Sequence, residues 1–266
     1  MNRMKLAAVL ETTGLPLRRA LPEIARLSVP GVQIDAVGDL TPDHLTATGR
    51  REFRTLLRSS NLELAALNIP LRRGLDVAEN LQQRIDHVRK VMALAPDLGT
   101  RKVVVPLPKL PDDATSVQAI TLRESLLALA QHGDRIGTLV ALEVGFDSGD
   151  KVKDYLDGFD SGSLAITYDP ANFLLNGFDP IASLIALGPR AIHLHARDGR
   201  TASVSGGGRE VPVGAGDLDW MLLVGTLEAL EVHAFIAVDR ESGDSRFADV
   251  AAGTTFLKRF FVGIEY

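Results

Sequence analysis

Apolar and polar positions along this chain follow two alternating periods. Short runs with strand character occur at 5–10 (KLAAVL), 31–35 (GVQID), 63–68 (ELAALN), 101–105 (RKVVV), 138–144 (TLVALEV), 164–169 (LAITYD), 191–196 (AIHLHA) and 234–239 (AFIAVD). Between them apolar residues recur at helical spacing, as in Leu17, Ala20, Leu21, Ile24 and Leu27, or Leu81, Ile85, Val88, Val91 and Met92, or Leu122, Leu126, Leu129 and Ala130. Residues 41–60, 150–158, 180–187, 218–230 and 246–261 complete the helical set. Strand and helix alternating in this way predict an α/β protein, a single (β/α)8 barrel over residues 1–266. An open doubly wound sheet is the alternative. It needs a Gly-rich turn after the first strand, and residues 11–15 (ETTGL) do not supply one.

Side chains alternate across a strand, so register assigns faces. In the last four strands one face carries Leu139, Ala141 and Glu143; Ala165, Thr167 and Asp169; His193 and His195; Phe235, Ala237 and Asp239. The opposite faces carry Val140, Leu142 and Val144; Leu164, Ile166 and Tyr168; Ile192 and Leu194; Ile236 and Val238, which suit packing against helices. Four successive strands therefore end in a metal-capable side chain on the inner face. Barrel active sites lie at the C-terminal strand ends. Three carboxylates and one imidazole (Glu143, Asp169, His195, Asp239) form a mainly hard ligand set, suited to Mn²⁺ or Mg²⁺ and compatible with Co²⁺ or Zn²⁺. Taken singly, each residue is equally a solvated strand terminus; the shared register is what argues for a site.

Composition narrows the function classes. Of 266 residues 45% are hydrophobic and 24% charged, with net charge -5, so no basic footprint for nucleic acid stands out. There is no Cys, which removes thiolate metal sites and Cys nucleophiles. The N-terminal apolar run stops at Glu11, too short for a signal peptide, and no stretch is long enough to span a membrane, so a cytoplasmic protein is expected.

With these residues in view the chain resembles the xylose-isomerase-like TIM-barrel superfamily of sugar phosphate isomerases and epimerases, which includes the endonuclease IV-type enzymes. "LVALEVG" looks like its strand-five Glu (Glu143). "ITYDPANF" looks like its Asp-x-x-His segment, with Asp169 in place and Asn172 where His is usual. "IHLHARDG" looks like its His-x-Lys-Asp, giving His195, Arg197 and Asp198. "VPVGAGDLDW" looks like the Gly-x-Gly turn, with Gly214, Gly216 and Trp220. "FIAVDRESGD" places Asp239 where a Glu is usual, with Glu241 two residues on.

The resemblance implies a metal-dependent isomerase or epimerase of a sugar, sugar phosphate or related polyol, passing through an enediolate, with Glu143 and Asp239 as base and acid. It implies substrate contacts at Asn172, His193, Arg197, Asp198, Arg240 and Glu241, with Asn68 and Arg72 as weaker candidates. The Gly-rich segment 199–216 invites a phosphate-site reading using Arg200, Arg209 and Arg240, or that of a plain loop. The aromatic tail RFFVGIEY either caps the barrel or forms a homo-oligomer interface. Two other functions stay open: a non-catalytic sugar- or partner-binding barrel, and a DNA-repair endonuclease. The latter resembles a trinuclear zinc site and sits poorly with six His, four of them (His44, His87, His132, His233) read as surface residues.

Overall fold

The computed structural model describes residues 4–202 and 208–261. Eight parallel strands close into a barrel: β1 (Met4–Val9), β2 (Gly31–Asp35), β3 (Glu63–Asn68), β4 (Lys102–Pro106), β5 (Leu139–Glu143), β6 (Leu164–Tyr168), β7 (Ala191–Ala196) and, after a hairpin of β8 (Asp198–Thr201) with β9 (Gly208–Val211), β10 (Ala234–Val238). Around it run α1 (Leu17–Arg26), α2 (Ala47–Ser59), α3 (Leu81–Leu98), α4 (Val117–Ile136), α5 (Gly149–Asp157), α6 (Pro170–Leu175), α7 (Pro180–Leu187), α8 (Trp220–Ala229) and α9 (Arg246–Leu257). The fold is the expected (β/α)8 barrel. Among the described residues no helix is long and apolar enough to cross a membrane.

Local chemistry sets the helix starts. Thr46, Ser116, Ser148, Asp179 and Asp219 each accept a hydrogen bond from a first-turn N–H of α2, α4, α5, α7 and α8. Asp169 does the same for α6, accepting from Asn172 N–H, with Pro170 at the first helical position. A residue expected only to bind metal thus also starts a helix.

Two apolar layers result. The larger lies between strands and helices and contains the outward set, including Val140, Leu142, Val144, Leu164, Ile166, Tyr168, Leu194, Ile236 and Val238. The barrel interior is narrower and rich in small side chains: Ala7, Val9, Ala65 and Ala237 with Phe235, then Ala66, Val104 and Ala141 with Ile192. Ile192 corrects the alternation, which placed it among the helices. The β6–β7 register slips between Ile166 and Thr167, so a bulge turns Ile192 and His193 to the same side. A second slip between Val32 and Gln33 on β2 turns both Ala65 and Ala66 of β3 inward.

Candidate functional site

The C-terminal strand ends gather most of the residues that register singled out. Glu143 closes β5, Asp169 follows β6, His195 lies near the end of β7 and Asp239 follows β10. Ligand atoms of Glu143, Asp169 and His195 all lie within 4.8 Å of one another. His195 Nδ1 is 3.2 Å from Glu143 Oε1. Asp239 lies outside that group, so three of the four expected ligands are brought together as they stand. It has the shorter side chain, and its Oδ1 accepts the adjacent Arg240 N–H at 2.7 Å. Its charge still acts on His195, Arg197 and Asp169.

The orientation of His195 comes from a residue that register did not flag. Gln33 Oε1 lies 2.9 Å from His195 Nε2 and 2.6 Å from His193 Nε2. An amide oxygen only accepts, so both Nε2 atoms carry hydrogen, and Nδ1 is the atom His195 offers toward Glu143. His193 is wholly buried and its Nδ1 has no partner. Burial, with His195 and Lys102 nearby, holds its imidazole well below the usual range. It is a neutral packing group of the interior, not the expected substrate contact.

Arg197 is buried at the centre of a charge network. Its guanidinium donates to Asp169 Oδ2 at 2.9 Å, Asn172 Oδ1 at 3.3 Å and Glu210 Oε1 at 3.1 Å, and pairs with Glu241 Oε2 at 2.8 Å. Asn172 also hydrogen-bonds Glu143. Asn172, Arg197 and Glu241 therefore stand at the mouth, as expected, but committed to protein groups. Arg240 is taken by Glu210 and Asp249, at 3.0 and 2.9 Å, and lies largely buried, which corrects its phosphate role. Arg200 donates to Ala215 O and Arg209 is exposed on the β8–β9 hairpin; residues 203–207 of that segment, like 262–266 of the aromatic tail, lie outside the described residues.

Asp198 is the clearest reassignment. Its Oδ1 accepts N–H of Gly199 and Leu218, and its Oδ2 accepts N–H of Gly214 and Gly216 and Trp220 Nε1–H. It braces the loop before α8 and leaves no lone pair aimed at a substrate. The brace also explains the GAG motif. A Cβ on Gly216 would fall 2.0 Å from Asp198 Oδ1, and Gly214 has φ +85°.

On the β1–β3 side, Asn68 donates to Asp35 Oδ1 at 2.8 Å, and Asp35 N–H donates to Glu11 Oε1 at 2.8 Å. Glu11 Oε2 is buried without a partner. Burial, then the Asp35 charge, pushes the Glu11 carboxyl up to about 8. A group raised in the folded state stabilises below its unfolded value, 4.5, and costs stability as pH rises through 8. Glu11→Gln, which mimics the protonated form, should therefore raise the melting temperature at pH 9 by several degrees and leave it unchanged at pH 4. Equal shifts at both pH values would contradict this ionisation.

The charges test whether a cation belongs here. Glu143, Asp169, Asp239, Glu11 and Asp35 are all buried or half-buried at the mouth, against Arg197 and His195. Burial pushes Asp169 and Asp239 up. For Glu143 burial is outweighed by His195 and Arg197, which hold it low. Burial pulls His195 down, but Glu143, then Asp239 and Asp169, push it up to about 9. Five carboxyl groups against two cationic side chains make an oxygen-rich donor set whose charge a divalent ion would balance. The residues fit such an ion, with Glu143, Asp169 and His195 Nδ1 as its holders.

A family model described as xylose isomerase-like TIM barrel matches residues 21–260. No curated protein matches in sequence. Solved structures share the fold at low identity. A xylose isomerase domain protein from Planctomyces limnophilus has TM-score 0.84 at 21% identity, covering 97% of this chain and 96% of that one. A xylose isomerase-like TIM barrel protein from Mycobacterium smegmatis, in complex with magnesium, has TM-score 0.76 at 15% identity, covering 96% and 95%. The D-allulose 3-epimerase from Methylomonas sp., in complex with D-allulose, has TM-score 0.74 at 16% identity, covering 97% and 98%.

Proposed function

This chain belongs to the xylose isomerase-like TIM barrel family, and on that premise we propose that it is a divalent-metal-dependent isomerase or epimerase of a small sugar or related polyol. The observation that carries the proposal is the approach of Glu143, Asp169 and His195 ligand atoms to within 4.8 Å at the C-terminal mouth. The magnesium complex and the D-allulose complex of two proteins with this fold support the same classes of ion and substrate.

A bound divalent ion supplies polarisation of a carbonyl and its neighbouring hydroxyl, which acidifies the hydrogen on the carbon between them. The side chains divide the proton work. Glu143 is held ionised by His195 and Arg197, so it is the base. Asp239 is held toward its protonated form by burial, so it is the acid. Gln33 fixes the imidazole ring of His195, and Asn172 and Arg197 fix the carboxylates of Glu143 and Asp169. Glu241, exposed at the entrance and paired with the buried Arg197, is the group of the two that a substrate hydroxyl would meet.

The endonuclease reading loses ground. Among the described residues one group of three metal-capable side chains is present, and of the six His only His195 belongs to it. A trinuclear centre needs more ligands than this.

Metal analysis followed by a ketose, inosose and sugar-phosphate panel in D2O with Mn²⁺ tests the reading. One equivalent of divalent ion and deuterium uptake beside the carbonyl of at least one panel member are expected. Metal binding with no exchange on any member would favour the non-catalytic barrel.

A further inference from the structure

The opposite mouth of the barrel carries a feature the proton chemistry does not use. At the N-terminal strand ends a cavity of about 580 Å³ opens between β3, β4 and β10. Its floor is apolar, with Leu62, Leu64 and Phe235. Four cations line it: Arg54, Arg58, Arg101 and Lys102. Its one carboxylate, Glu63, is already paired with Lys5 at 2.7 Å.

Among the described residues none of the four cations has a carboxylate partner. Arg58 donates to Thr55 Oγ1, Arg101 to Gly137 O, and Lys102 to Ile192 O at 2.7 Å, all uncharged acceptors. The Arg54 side chain has no hydrogen-bond partner among the described residues. Elsewhere on the chain, whose net charge is -5, Arg18, Arg26, Arg50, Arg73 and Arg190 each pair with an acid. A local surplus of positive charge inside a concavity, above an apolar floor, focuses field on a small anion.

We propose that this N-terminal cavity binds a small phosphorylated organic anion, with phosphate on the guanidinium groups of Arg54, Arg58 and Arg101 and the apolar part of the ligand against Leu62, Leu64 and Phe235. Guanidinium forks match phosphate oxygens in pairs, and three forks plus an ammonium suit two or more phosphates better than one carboxylate. Lys102 strengthens the case from below. Its ammonium sits half-buried 5.8 Å from the Phe235 ring centroid, and burial holds it below the usual lysine range. An anion in the cavity would restore the charge balance that burial removes. The site lies at the strand starts, so it is separate from Glu143, Asp169 and His195.

Equilibrium dialysis of the metal-loaded protein against labelled ATP, with excess magnesium and low salt, tests the assignment. One equivalent should bind with a Kd of about 1 mM or tighter, weaken as salt is raised, and be displaced by pyrophosphate. The exposed double variant Arg54→Ser/Arg58→Ser should bind about tenfold less tightly or worse, with melting temperature and metal content unchanged. Absence of saturable binding, or equal affinity in the double variant, would overturn the proposal. So would a short single-stranded oligonucleotide that binds tighter than ATP and displaces it, because the surface would then be a nucleic-acid contact.

Discussion

Glu143→Gln is expected to lower turnover of whichever panel sugar the protein accepts by about 10²–10⁴-fold, the usual worth of a positioned proton-transfer group. The amide keeps the shape of the side chain and one oxygen for the ion that Glu143 would help to hold, so the barrel should stay folded and, with saturating Mn²⁺, loaded. What it loses is the carboxylate that His195 and Arg197 hold ionised. Deuterium exchange at the carbon beside the carbonyl should fall in step with turnover, because the same base breaks that bond. Asp239→Asn separates the two carboxyl roles. Metal content should be retained, since Asp239 stands outside the group of three, while turnover drops. If Asp239→Asn instead lost its metal and excess Mn²⁺ restored the rate, Asp239 would be a ligand and the division of roles would be wrong.

Asp198→Ala should be the most destabilising single change at this end of the barrel, and for a reason unrelated to substrate. The carboxylate accepts from four backbone N–H groups and from Trp220 Nε1, at 2.8 to 3.4 Å. Removing it strands buried donors, each worth about 1–3 kcal/mol, although water entering the space returns part of that. A net loss of about 3–5 kcal/mol is expected, or roughly 10 °C in melting temperature for a chain of this size. Asp198→Asn keeps one acceptor oxygen and should fall between. Thermal unfolding of the three proteins checks the order, and a loss under about 3 °C for the Ala variant would mean the loop is held by other contacts.

The periodicity of the sequence was enough for the barrel itself. Eight aliphatic runs became eight strands, with bounds agreeing to within about a residue, because a buried parallel strand must be apolar on both faces. The β8–β9 hairpin was not legible. DGRT and GREV carry no apolar alternation, and their pairing is fixed by backbone bonds and by the Asp198 brace. Ile192 was assigned to the wrong side because a register slip of one residue leaves no trace in composition.

The site was legible where it depends on register and opaque where it depends on chain crossings. Glu143, Asp169 and His195 share an inward face that alternation alone predicts. Gln33 holds His195 from 162 residues away in sequence, and Glu210 reaches Arg197, Arg240 and Ser242 from the hairpin. Gln33 did carry a signal: it is the one polar residue among the positions of GVQID that precede the strand-end Asp35. Arg240 and Asp198 looked like mouth residues because they follow strands. Their side chains were claimed by Asp249 and Glu210, and by the GAG loop.

His195, through Nδ1, is expected to join Glu143 and Asp169 in holding one divalent ion. Pulsed electron paramagnetic resonance on the Mn²⁺-loaded protein tests it directly, because a coordinated imidazole nitrogen couples to the manganese electron spin. The account predicts one equivalent of Mn²⁺ with a single histidine nitrogen coupling, absent in His195→Ala, which should still fold and bind Mn²⁺ more weakly. A bound Mn²⁺ with no histidine coupling, or a coupling that survives in His195→Ala, would contradict it.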